Sequence, residues 1–206
     1  MRIVGLHGRG QDPVLFASLT RALVSRSKLP AVYPRGRFTS TTPGGYSWYN
    51  YARVKTGPGR WESGDRVIGA EAEYERLAKT LGDSRDNVLV GFSEGGRFAL
   101  NFAVRYPHKV CALVLMCFPF PDADWQALPF GIDTPALFVT SSSDAVTNQF
   151  EMERVRRHFT APPEVLVHDR GHKVYLAAPV RNPVLALLAR LERHRRENGT
   201  PALSSG

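Results

Sequence analysis

Cysteine is scarce in this chain: Cys111 and Cys117 are the only two among 206 residues. Both fall in one apolar run that reads as a strand, and six residues of extended chain would hold them roughly 20 Å apart, beyond the reach of a disulfide. A disulfide scaffold is excluded. Two buried thiols fit a reducing compartment, so a cytoplasmic location is the expectation. Long hydrophobic runs are missing too. The opening apolar run stops at His7, too short for a signal peptide or a membrane span, and neither is expected. Asn198-Gly199-Thr200 matches a glycosylation sequon, which carries no weight without a secretory route. There is no internal repeat and no interdomain linker. His, Cys, Asp and Glu show no compact metal-ligand spacing. The first strand leads into His7-Gly8-Arg9-Gly10, not into a dinucleotide-binding glycine fingerprint. No metal and no cofactor are expected. Acids are outnumbered, 19 against 27 Lys and Arg, for a formal charge of +8. The cations lie in helical segments that also carry acids, as in Glu151-Met152-Glu153-Arg154. Without aromatic and basic interleaving or a reader motif they describe a solvated face, and no nucleic-acid partner is expected.

What is present fits one soluble domain. Hydrophobic residues make up 43% of the chain, enough for one substantial core. A single domain is expected over 1–196, followed by a polar, flexible tail over 197–206. Apolar stretches over 2–6, 30–33, 87–91, 110–118, 136–140 and 164–167 read as six strands. Helical patterns lie between them: 13–25, 65–81, the run from Gly96 to the stop at Pro107, and an amphipathic 145–158 with Val146, Phe150, Val155 and Phe159 as core contacts. A last helix is expected over 183–194, capped by Asn182. Residues 34–64 mix Gly and Pro with Trp48, Tyr49, Tyr51 and Trp61. They read as a long irregular segment that either packs over the sheet edge or walls a pocket. Strands alternating with helices argue an α/β fold, a doubly wound, mainly parallel sheet of about six strands with helices on both faces. Ligand sites in such sheets lie beyond the carboxyl ends of the strands. His7, Ser93, Asp144 and His172 all sit there.

Gly91-Phe92-Ser93-Glu94-Gly95 fits G-x-S-x-G between a strand and a helix, the context this nucleophile turn requires. Small residues must flank the serine because the chain doubles back sharply. The helix that follows aims N–H groups at developing negative charge. The plainer alternative is a helix cap. A serine needs a base, and His172, in a loop after the last strand, is the candidate. His168 lies at the strand end, and His158 in an Arg-rich helix reads as solvated. Asp144, following the 136–140 strand, is the candidate acid. Its alternative is a helix N-cap, and the two jobs look hard to combine; Asp122 or Asp124 would be the substitute acid. Two N–H donors are needed for an oxyanion, from Glu94 and, in the early loop, Arg9. The Arg9 side chain is expected in solvent or beside Glu94, and His7 is expected to brace the loop.

Taken in order, these pieces resemble the phospholipase/carboxylesterase group of α/β-hydrolases, which includes bacterial carboxylesterases, acyl-protein thioesterases and lysophospholipases. Leu6-His7-Gly8-Arg9-Gly10 resembles the oxyanion loop. Tyr33-Pro34-Arg35-Gly36-Arg37 and Gly44-Gly45-Tyr46-Ser47-Trp48-Tyr49-Asn50 resemble the segment carrying a Trp-Phe/Tyr-Asp run. Gly91-Phe92-Ser93-Glu94-Gly95-Gly96 resembles Gly-Phe-Ser-Gln-Gly-Gly. Glu94 stands where Gln is usual and Asn50 where Asp is usual. The Glu94 carboxylate would repel an anionic intermediate unless Arg9 or Arg37 offsets it.

The resemblance implies a cofactor-free serine hydrolase that cleaves carboxylic esters, with Ser93, Asp144 and His172 as its triad. A thioesterase, lysophospholipase, amidase or lactone hydrolase would use the same machinery. A non-catalytic α/β-hydrolase-like binding protein is the rival from another class. The expected partner is a small-molecule ester or thioester; a homodimer is left open. Arg37, Tyr46, Trp48 and Trp61 are the candidate pocket residues. Their neighbours Arg35, Arg53, Lys55 and Arg60 would favour an anionic substrate if they faced the cleft.

Overall fold

A computed structural model describes residues 1–197 except 58–59, 122–123, 125–126 and 148; for 52–57, 60–68 and 149 it describes the backbone alone. In chain order the elements are β1 (Arg2–Leu6), α1 (Pro13–Ser27), β2 (Ala31–Val32), β3 (Phe38–Thr39), β4 (Tyr46–Ser47), β5 (Asn50–Gly57), β6 (Arg60–Ile68) and α2 (Ala70–Leu81). They continue with β7 (Asn87–Phe92), α3 (Glu94–Arg105), β8 (Val110–Met116), β9 (Ala136–Ser141), α4 (Gln149–Arg156), β10 (Glu164–His168) and α5 (Ala178–Glu197). Strands β10-β9-β8-β7-β1-β2 form one six-stranded sheet in which every neighbouring pair is parallel. This is the doubly wound α/β sheet expected from the sequence.

Alternation along the strands explains the layers. Val4, Leu6, Leu89, Leu113, Leu115 and Phe138 point to one face, where Leu77 of α2 and Phe98 and Phe102 of α3 cover them. Ile3, Val88, Val90, Val114, Met116 and Val139 point to the other, under Phe16 and Leu23 of α1 and Val184 and Leu188 of α5. Each such side chain, fully buried, contributes roughly 1.5–3 kcal/mol. A strand covered on both faces reads as a continuous apolar run, which is why β7 and β8 stand out in the sequence. Among the described residues no helix is long and apolar enough to cross a membrane.

Several local expectations are corrected. Residues 34–64 are not irregular throughout: β5 and β6 pair antiparallel as a long hairpin, and β3 pairs with β4. The helix expected from Asp65 starts at Ala70. Val67 pairs with Tyr51 and Ile68 with Asn50 across the hairpin, and Gly69, at φ 75°, turns the chain into α2. The helix expected over 145–158 is shorter, Gln149–Arg156, because the Asp144 carboxylate draws in the N–H groups of Val146 and Thr147 and folds a tight turn before it. Val146 and Phe150 are exposed at 59% and 81%, while Val155 and Phe159 join the core. The last helix starts at Ala178 and carries Pro183 inside it. Pro179 suits the first turn of a helix, and Asn182 is therefore an interior residue, not a cap.

Candidate active site

The carboxyl ends of β7, β9 and β10 deliver three side chains to one place. Ser93 follows β7 directly, with a backbone at φ 52° and ψ −122°. A non-glycine residue there carries strain of order 1–3 kcal/mol, held by the structure around it. Its N–H donates to the Met116 carbonyl at 2.8 Å. The glycines make the turn feasible. A Cβ on Gly91 would fall on the Gly95 backbone, and one on Gly95 would fall on the carbonyls of Leu6 and His7. The serine side chain makes no capping bond to α3, so the helix-cap alternative does not describe it. It points instead at His172, with Oγ 2.9 Å from Nε2.

His172 Nδ1 lies 2.9 Å from Oδ2 and 3.1 Å from Oδ1 of Asp144. A carboxylate only accepts, so the shared proton belongs on Nδ1, and Nε2 is left to accept from the Ser93 hydroxyl. The Asp144 side chain is fully buried. Burial opposes its ionisation, but donors outweigh burial: the Thr147 hydroxyl, His172, and the N–H groups of Val146 and Thr147 hold the carboxyl down to about 2. Asp144 thus does both jobs that looked hard to combine, caging the turn before α4 and facing the imidazole.

The acid and base loops are stitched together by serines. Gly171 N–H donates to Ser141 Oγ at 2.9 Å and Ser143 Oγ at 3.0 Å. Ser142 N–H reaches the His168 carbonyl at 2.8 Å, and Ser143 Oγ donates to the Asp169 carbonyl at 3.0 Å. The Phe92 ring packs against His172 at 5.0 Å. Sequence reasoning missed the roles of Ser141, Ser143 and Thr147; the pairing of β9 with β10, which sets His168 opposite Ser141, was the signal that could have found the serines.

The early loop arrives beside them. Gly8 packs on the Phe92 ring, its N–H bonds Gln11 Oε1 at 2.9 Å, and Gly10 N–H bonds the Tyr46 carbonyl at 2.9 Å. His7 is fully buried. Nδ1 donates to the Gly8 carbonyl at 2.9 Å and Nε2 accepts from Gly36 N–H at 3.1 Å. Burial lowers its pKa despite the Gly8 carbonyl and Asp12, which suits a neutral, bracing imidazole.

Glu94 turns its carboxylate into the protein. It accepts from Ser47 Oγ at 2.9 Å and Trp48 N–H at 2.7 Å. Burial raises its pKa, while bonds from Trp48, Tyr51 and Ser47 and the charge of Arg9 oppose the rise. The Arg9 guanidinium lies 4.4 Å over the Tyr51 ring.

The pocket candidates divide. Trp48 is fully buried, donates from Nε1 to the His7 carbonyl at 2.8 Å and stacks on Phe98 at 4.8 Å; it is a core residue, which corrects the expectation. Tyr46 is half-buried beneath Arg35 at 4.8 Å. Arg37 is exposed. The side chains of Trp61, Arg53, Lys55 and Arg60 lie outside the described residues. A cavity of about 340 Å³ beside the early loop is lined by Arg9, Phe38, Ser40, Ser47, Tyr49 and Tyr51 among others. The substitute acid is engaged elsewhere, since Asp124 pairs with Arg97 at 2.5 Å and with Asn101 at 3.0 Å; Asp122 lies outside the described residues. His158 is not solvated: it is buried, bonds the Pro129 carbonyl at 3.1 Å and stacks on Phe130 at 4.1 Å.

A parallel sheet with a strained serine between strand and helix defines the class. The sequence profile of the α/β hydrolase fold family matches residues 3–138, and the chain belongs to that family. Esterase PE8 is similar in structure, with 22% identity, a TM-score of 0.71, and 92% of this chain and 91% of that one covered. Arabidopsis thaliana SOBER1 superposes with a TM-score of 0.69 at 15% identity, covering 93% and 99% of the two chains. The Bacillus cereus carboxylesterase does so with a TM-score of 0.64 at 16% identity, covering 92% and 88%. At such identities the likeness carries the fold. No curated protein sequence matches the chain.

Proposed function

We propose that the protein is a serine hydrolase that cleaves carboxylic esters through an acyl-enzyme, within the single domain read over 1–196. The observation that carries this reading is the line Ser93 Oγ, His172 Nε2, His172 Nδ1, Asp144 Oδ2, with 2.9 Å at both junctions. The esterases among its structural neighbours support it.

In the first half of the cycle Ser93 Oγ attacks the acyl carbon as His172 Nε2 takes its proton. Asp144 stays ionised and steadies the imidazolium. The oxyanion is held by backbone N–H groups of Glu94, at the start of α3, and Arg9. Because the Glu94 carboxylate is bonded to Ser47, Trp48 and Tyr51, it is turned to structural work and the anion meets only the N–H. His172 then protonates the leaving alkoxide. In the second half His172 draws a proton from water, which attacks the acyl-enzyme and frees the acid and Ser93. Thioesters would follow the same course, with a thiolate leaving.

For substrate, we infer a small to medium ester with an apolar acyl group. The cavity beside Arg9 offers Phe38, Tyr49 and Tyr51 together with one cation. Stopped-flow hydrolysis of 4-nitrophenyl esters of graded chain length tests the reading. A burst of one nitrophenol per protein, followed by slower turnover, is expected wherever deacylation is the slower half. Absence of turnover on every ester and thioester would overturn it.

A further inference from the structure

Residues far apart in the sequence converge at the end of β8. Cys117 is the first residue past that strand, at φ 44°. Its N–H donates to the Val139 carbonyl at 2.8 Å, and its side chain is fully buried. Its Sγ, a carboxylate oxygen of Asp144 and a ring nitrogen of His172 all lie within 4.8 Å of one another. The three come from the ends of three different strands, so no compact spacing betrays them in the chain. An open groove lined by Ser141, Ser142, Asp144 and Val146 runs alongside.

We propose that Cys117, Asp144 and His172 form a site for one thiophilic divalent cation, Zn²⁺ above all, and that its occupancy blocks the hydrolytic centre. Thiolate, carboxylate and imidazole are the donor types such an ion takes. Bond lengths of roughly 2.0–2.3 Å in a tetrahedron require Sγ to close in on the other two donors by about an ångström while the Nδ1–Oδ2 pair, at 2.9 Å, opens slightly, with water as fourth ligand.

The proton balance gives the mode of inhibition. Binding releases one proton, from the Cys117 thiol, to solvent. Asp144 is already ionised. His172 binds through Nδ1 as neutral imidazole, so its proton moves from Nδ1 to Nε2. The nitrogen 2.9 Å from Ser93 Oγ is then a donor and no longer takes the serine's proton. The local charge rises from −1 to zero, which offsets the ion's loss of hydration.

The blocking role rests on the proposed hydrolase function; the binding does not. The test therefore reads binding by itself. Cd²⁺ is titrated into the protein and followed by its thiolate-to-metal absorbance in the ultraviolet. Zn²⁺ binding is followed by calorimetry, and ester hydrolysis is assayed on the same samples. One equivalent of each metal should bind wild type, with Zn²⁺ inhibiting hydrolysis over the range in which it binds. Cys117→Ser and Cys117→Ala should lose the Cd²⁺ band and weaken Zn²⁺ at least about tenfold. His172→Ala should weaken Zn²⁺ similarly. Cys111→Ser, whose thiol lies near Met1 and the Asn87 carbonyl, should keep the band and the inhibition. A band that survives both Cys117 variants, or vanishes in Cys111→Ser, overturns the site. Binding through Cys117 with undiminished hydrolysis overturns the block.

Discussion

Thr147 Oγ1 donates a 2.6 Å hydrogen bond to Asp144 Oδ2, the same oxygen that faces His172 Nδ1 at 2.9 Å. One short turn thus supplies the acid and tunes it. With its carboxyl held at about 2, against roughly 3.9 in an unfolded chain, Asp144 contributes stability that is fully present above pH ~4 and lost as pH falls through about 2. Thr147→Val removes one donor and lifts the folded pKa. The onset of acid unfolding should move to higher pH. An unfolding onset unchanged in position would show that Thr147 has no hold on Asp144.

Arg97 and Asp124 make a pair that is nearly enclosed, with side chains 6% and 15% exposed. Removing one partner of such a pair leaves a charge without its counter-ion and costs about 3–5 kcal/mol. Asp124→Asn should therefore lower the urea midpoint strongly while kcat at low temperature stays near wild type. A loss of kcat comparable with that of Asp144→Asn would instead make Asp124 the acid.

Glu94 carries the opposite pH signature. Its folded pKa is raised, chiefly by burial. Such an acid favours folding in its protonated form, and that contribution falls as pH rises from the unfolded pKa to the folded one. In Glu94→Gln the dependence disappears. The Tm of the variant relative to wild type should improve as pH is raised from 4 towards neutrality and then level off. A Tm difference constant across that range would contradict the buried, costly carboxylate.

How much of this was legible in the chain follows from where the information lies. The nucleophile turn was readable because Gly91, Ser93 and Gly95 are neighbours and the steric demand is local. The sheet was readable because burial on both faces leaves β7 and β8 as unbroken apolar runs. The hairpin of β5 and β6 was not. The Gly57-Pro58-Gly59 run and scattered aromatics read as loop chemistry in the sequence, and only pairings such as that of Tyr51 with Val67 make strands of the residues on either side. Trp48 looked like a pocket wall because an aromatic beside glycines reads the same way in a cleft or a core; the His7 carbonyl and Phe98 decide for the core. The double duty of Asp144 depends on the backbone of Val146 and Thr147 curling back onto it. Cys117 joined the site only once β8, β9 and β10 were set side by side.

The most direct test of the central claim is a covalent one. The protein is treated with a fluorophosphonate, and the adduct is weighed intact and then mapped by peptide mass spectrometry. The account predicts one adduct per chain, on Ser93, abolished in a folded Ser93→Ala protein and slowed by orders of magnitude in His172→Ala. An adduct on any other residue, or labelling that persists at the wild-type rate in Ser93→Ala, would contradict it.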